Sequence, residues 1–180
     1  MIADYLRTES DRIEWKVSAE DSEKIIQAVC AMANDLGGSA RPGIILVGVD
    51  KDGKVVGVGD IRKLDDIQQR LSNQLRSTKM VPTPSFDLRH EVVEGKSVLV
   101  LSIEPYPVPP LVQVNSVPWI RQGTTTRRAT DADVARLRER RPENTRPFDQ
   151  RTHRLATVQD LAEAPLRAEY LAAKEGIVDA

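Results

Sequence analysis

Over Arg12-Ile13-Glu14-Trp15-Lys16-Val17, apolar and polar residues alternate. Ile13, Trp15 and Val17 face one way and Arg12, Glu14 and Lys16 the other, which predicts a half-buried strand. The pattern then changes period. Ile25, Val29, Met32, Ala33 and Leu36 recur at helical spacing, with Ile26 and Cys30 on the flank. Ser22 is placed to cap that helix and Gly37-Gly38 to stop it. Gly43 to Val49 is short, continuously apolar and β-branched, so it predicts a central strand buried on both faces. Asp52-Gly53 signals a hairpin turn, with Lys54 to Gly57 as the return strand.

The second half repeats these signals. Ile67, Leu71 and Leu75 predict a helix over 65–76. Phe86, Leu88 and Val92-Val93 predict a strand that turns at Glu94-Gly95 into a second buried strand, Ser97 to Ile103. Leu111 to Val114 and Val117 to Arg121 predict a short hairpin about Asn115-Ser116. Gln122 to Arg128 reads as a polar loop. Thr130 is placed to cap a helix from Asp131 to Arg140, with Val134 and Leu137 inside. Ile2 to Leu6 predicts a short first helix. Helices and hairpins interleave without regular βαβ alternation, so the expected class is α+β, a mixed, mostly antiparallel sheet with flanking helices. Residues 142–151 have linker composition, and Thr157 with Asp160, then Pro165, suggest short helices beyond it. The expected division is a domain over 1–145 and a linker with a helical tail over 146–180.

Composition narrows the function. A single cysteine, Cys30, gives no internal disulfide framework and fits a reducing, cytoplasmic setting. Two histidines, His90 and His153, make a Cys/His zinc site a poor fit. No apolar run reaches the roughly 20 residues that span a bilayer, so no membrane partner is expected. Net charge is −1, yet Trp119 to Pro147 carries eight arginines against four acids and no lysine, a local basic surface. Glu94-Gly95-Lys96-Ser97 lacks the upstream glycine of a phosphate loop, and Gly57-Val58-Gly59 is too short for a dinucleotide fingerprint, so no nucleotide cofactor is expected.

The candidate chemistry lies in Glu9, Glu14, Lys16 and Asp50. Clustered carboxylates can hold a divalent ion that activates water and neutralises a phosphate, and a neighbouring lysine can contact the phosphate. An odd offset separates Glu9 from Glu14, so they converge only if the chain turns near Ser10-Asp11. Simpler readings exist. Asp50 could be a turn residue, Glu14 and Lys16 an exposed charge pair, and Glu9 a loop carboxylate. Arg121, Arg127 and Arg128 flank the Gly/Thr segment that holds Thr124 and Thr125, a combination suited to a phosphate backbone. Arg136, Arg138, Arg140 and Arg141 could equally be a solvated helix face. Aromatic residues are only 4% of the chain, which favours recognition of backbone and shape over base stacking.

Four segments together resemble the Schlafen-type AlbA domain family, a DNA-binding, RecG-helicase-like family. Glu9-Ser10 with Glu14-Trp15-Lys16 resembles its opening motif, and Ala31 to Gly38 its helix end. Ile45-Leu46-Val47-Gly48-Val49-Asp50 through Gly57 resembles its hairpin, and Trp119-Ile120-Arg121-Gln122-Gly123-Thr124-Thr125-Thr126 its late strand and loop. The four occur in family order over about residues 4–140. Met32 stands where phenylalanine is usual, Trp15 and Trp119 replace other aromatics, and Ser39-Ala40-Arg41-Pro42 lengthens a loop. The resemblance implies nucleic-acid binding. In the Schlafen branch it also implies Mg²⁺- or Mn²⁺-dependent cleavage of structured RNA such as tRNA, with Glu9, Glu14 and Asp50 as ligands. That makes RNA the expected partner over DNA. It further implies a homodimer, since two such lobes enclose RNA in Schlafen proteins and this chain has one. The alternatives are a non-catalytic DNA-binding or regulatory module, or one domain of a larger antiviral assembly with further partners.

Overall fold

A computed structural model describes residues 2–59, 64–77, 79–107 and 111–139. The described residues fall within one compact unit, Met1–Pro142. The tail expected over 146–180 lies outside the described residues, as do Arg140 and Arg141.

The described elements are α1 (Ile2–Tyr5), β1 (Ile13–Lys16), α2 (Ser22–Asn34), β2 (Gly43–Val47), α3 (Leu64–Leu75) and β3 (Met80–Val81). There follow β4 (Phe86–Val93), β5 (Lys96–Ile103), β6 (Gln113–Val114), β7 (Val117–Gln122), β8 (Thr125–Arg128) and α4 (Asp131–Glu139). One sheet has the order β1-β2-β5-β4, with β1 parallel to β2 and the other pairs antiparallel. A second, antiparallel sheet has the order β3-β6-β7-β8. The α+β class with a mixed, mostly antiparallel sheet is therefore the observed one.

Helix α2 is apolar nearly all round because it packs against both sheets. Ile25, Val29, Met32 and Ala33 join Ile45, Val47, Leu99, Leu101 and Ile103 of the first sheet and Val112 and Val114 beside the second in one core. The opposite face of the first sheet, with Ile44, Leu46, Val98 and Val100, is covered by Tyr5 and Leu6 and by Trp15. Strand β2 is thus buried on both faces, as its unbroken apolar run predicts.

Several local expectations are corrected. Asp21, not Ser22, caps α2, its carboxylate accepting the Lys24 N–H at 3.4 Å. The helix stops at Asp35 in the left-handed region (φ 41°), before the glycines. The return strand over 54–57 shrinks to one bridge, Val49 to Val55. There the Gly48 carbonyl accepts both the Val56 and Gly57 N–H groups, at 2.8 and 2.9 Å. A Cβ on Gly48 (φ 101°) would lie 2.9 Å from the Gly57 carbonyl carbon, so the two backbones touch where a ladder would need space. The polar segment 122–128 is not a loop: β7 and β8 form a hairpin joined by Gly123-Thr124. Its threonines, read as loop hydroxyls, are also good strand formers. Val17 is 58% exposed and lies beyond the end of β1.

Candidate functional site

The turn required between Glu9 and Glu14 is present. Ser10 N–H donates to the Ile13 carbonyl at 3.0 Å, and the Ser10 hydroxyl accepts the Arg12 N–H at 3.1 Å. It folds Glu9 back beside β1, where its carboxylate accepts the Trp15 N–H at 2.8 Å. Trp15 in turn donates its indole N–H to the Tyr5 carbonyl at 2.9 Å. Glu9 therefore closes the outer edge of β1.

Register places Glu14 and Lys16 beside Ile45 and Val47, on the sheet face that carries α2. Glu14 is buried, not an exposed charge pair. One of its carboxylate oxygens takes the Lys16 ammonium, and the other accepts from Arg121 at 2.5 Å. Arg121 is itself buried at 5% exposure. It donates to the Ser10 and Ile13 carbonyls at 2.9 and 3.0 Å and to the Thr126 hydroxyl at 3.2 Å. The guanidinium thereby fastens the second sheet to the turn and edge of the first. Arg121, expected to meet a phosphate, is spent inside the protein.

A second buried arginine holds the same region. Arg12 donates to the Met32 carbonyl at 2.9 Å and to the Arg41 carbonyl at 2.6 Å, and pairs with Asp35 at 3.3 Å. Burial lowers its pKa, and Asp35 offsets part of that. A cation at the last turn of α2 also suits the helix dipole. Asn34, in the same helix end, donates to the Val112 and Trp119 carbonyls at 2.9 and 2.8 Å and accepts the Val112 N–H at 3.0 Å. Sequence reasoning left Arg12 and Asn34 without a role, although Asn34 lies inside the helix-end motif.

Asp50 closes a turn of its own just past the end of β2. Its carboxylate accepts the Asp52 and Lys54 N–H groups, each at 2.9 Å. Among the described residues no three His, Cys, Asp or Glu side chains are grouped so as to hold a metal ion. Both oxygens of Glu14 are engaged by cations, whereas Glu9 and Asp50 each use one oxygen to accept backbone N–H groups, so a divalent ion held by Glu9, Glu14 and Asp50 would have to compete with Lys16 or Arg121 for Glu14.

The hairpin arginines separate. Register puts Arg128 across from Trp119 and Thr126 across from Arg121, on the face turned towards Glu14. Arg127 pairs with Ile120 on the opposite face, beside α4. There it donates to Asp133 at 2.7 Å and to Gln122 at 3.0 Å. Asp133 also accepts the Thr130 N–H and hydroxyl, both at 2.8 Å, while its own N–H donates to Thr130, completing the cap of α4. The Arg127 hydrogen bond, then those from Thr130, hold the Asp133 carboxyl well below the usual carboxylate range. Arg128 is exposed, lies 5.8 Å over the Trp119 ring and makes no ion pair among the described residues. Thr124 and Thr125 are exposed at the hairpin tip. The available cations on the face turned towards Glu14 are thus Arg128 and the Lys16 ammonium, which is 21% exposed beside Glu14, while Thr125 lies on the face of Arg127.

The family pattern described as Schlafen, AlbA_2 matches residues 9–130. Among solved structures, the DIP2311 protein from Corynebacterium diphtheriae matches with a TM-score of 0.50 and 20% identity over 73% of this chain. This chain spans 27% of that protein's length, and the likeness is one of fold. The N-terminal domain of a RecG-related protein from Nitrosomonas europaea, named for an ATP-dependent DNA helicase, matches with a TM-score of 0.49 and 26% identity. That match covers 71% of this chain and 92% of the other. No curated protein matches the chain. No helix among the described residues is long and apolar enough to cross a membrane.

Proposed function

We propose that this chain, which belongs to the Schlafen AlbA_2 family, is a nucleic-acid-binding domain that grips the phosphate backbone of a folded RNA. The observation that carries the reading is Arg128: exposed, braced over Trp119 and without a carboxylate partner among the described residues. A guanidinium held by an aromatic face keeps its N–H fork for phosphate oxygens and loses less rotamer freedom on binding. Thr124 adds a hydroxyl at the adjoining tip, and Lys16 adds a point charge. In this reading the groups meet phosphate oxygens, so affinity follows shape and charge.

Binding without metal-dependent cleavage is the better reading of Glu9, Glu14 and Asp50. Glu14 is engaged by two cations, and Asp50 closes its own turn. The test is a titration of the full chain with tRNA and with duplex DNA of equal phosphate number, at several salt concentrations, with Mn²⁺ or with chelator. The expected result is binding that weakens steeply with salt, is tighter for tRNA, and leaves the RNA intact in Mn²⁺. Absence of binding at low salt overturns the proposal. Mn²⁺-dependent scission that Asp50→Asn abolishes would restore the nuclease reading.

A further inference from the structure

The two edges of the first sheet are treated differently. The outer edge of β1 is closed by side chains: Glu9 accepts the Trp15 N–H and Arg121 donates to the Ile13 carbonyl. Strand β4, at the other edge, is eight residues long, and among the described residues nothing pairs with its outer side. Long open edges invite strand addition.

The backbone groups available there follow from the hairpin. Glu94 (φ 52°) and Gly95 (φ 73°) form a two-residue turn closed by Val93 and Lys96, the hydrogen-bonded pair of such a hairpin. Alternation then commits Asp87, Arg89, Glu91 and Val93 to β5. The N–H and C=O groups of Phe86, Leu88, His90 and Val92 point outward.

We propose that β4 pairs antiparallel with β4 of a second copy of this chain, centred on His90, joining the two sheets into one. In that register Leu88 of each copy meets Val92 of the other, and His90 meets His90. All of these carry outward-pointing backbone groups, so the ladder closes. Val92, 62% exposed in the single chain, gains an apolar neighbour. The intervening positions oppose Arg89 to Glu91 twice, in the close non-hydrogen-bonded sites where side chains interact most. Other registers are worse. Centring on Arg89 opposes it to its own copy and Asp87 to Glu91. Centring on Leu88 pairs only five residues and leaves Val92 uncovered. The charged row on this strand, in which Arg89 already contacts Glu91 at 2.9 Å and Asp87 at 3.6 Å, opposes unlike charges when centred on His90 or on Leu88, and only the His90 register also covers Val92. This inference stands independently of nucleic-acid binding.

Such a seam is smaller than a standard interface, so association in the range of roughly 10–500 µM is expected. The test is sedimentation of the full chain across that range, without nucleic acid. Arg89→Glu alone, or Glu91→Arg alone, sets like charges against each other at both sites and should weaken the dimer by about tenfold or more. Combining the two exchanges restores the opposition of unlike charges and should restore the dimer. Thermal melting checks that each variant is folded. A monomer throughout the range overturns the proposal, as does a dimer indifferent to the single exchanges or not rescued by the pair.

Discussion

Arg121 donates to Glu14 at 2.5 Å across 107 positions of sequence, and both side chains are almost wholly buried. The contact joins a strand of one sheet to a strand of the other. Burying two charges costs several kcal/mol of desolvation each, so the pair stands only because every group is answered: Glu14 by Arg121 and Lys16, Arg121 by Glu14, Thr126 and two carbonyls.

Removing one partner leaves the other charged and buried. Glu14→Ala or Arg121→Ala should each destabilise the fold by about 3–5 kcal/mol, read by urea unfolding. The double variant should lose clearly less than the sum. Additive losses would mean that the two residues are not coupled.

Asn34 satisfies both backbone groups of Val112 and the carbonyl of Trp119. Asn34→Ala should cost about 1–3 kcal/mol for the polar groups left buried. Asn34→Asp should cost more, because a carboxylate would face two carbonyls. Hydrogen exchange at the Val112 amide should accelerate in both variants, and unchanged protection there would contradict the staple.

Adjacent arginines should behave oppositely. Arg128→Ala should weaken RNA binding uniformly across sequences and reduce the salt slope by about one, with little change in melting temperature. Arg127→Ala should lower stability through α4, because it removes the Asp133 partner. Equal effects of the two changes on binding would refute the assignment of opposite faces.

Asp133 gives that helix a dependence on acid. Its carboxyl is lowered from 3.8, chiefly by the Arg127 hydrogen bond. A depressed folded-state value contributes stability fully present above the unfolded value and lost as pH falls through the folded one. Stability should therefore decline below about pH 4 through this group, and Asp133→Asn should flatten its share of the decline. In Arg127→Ala the Asp133 titration, followed by carboxyl NMR shifts, should move to higher pH.

Cys30 is buried in α2, with its thiol pushed up to about 12 by burial. It should resist thiol reagents at pH 8 in the folded protein and react at once in denaturant. Rapid labelling of the native protein would place the thiol in a more open setting.

The sequence by itself determined the elements and their class. Hydrophobic period separates β1 from α2 and marks β2 and β5 as buried, because burial on one face, on two, or all round leaves different repeats. It also located the turn before Glu14, since two side chains five residues apart cannot share a face of one strand. Tertiary structure alone decided what the charged residues contact. Glu14 and Lys16 read as an exposed pair or as metal chemistry until β7 brings Arg121 against them. Arg127 and Arg128 read as one basic patch until the hairpin turns them to opposite faces. Apolar burial is written locally in the period of the chain. The partner of a charge is set by which distant strand lies beside it, and no local pattern records that.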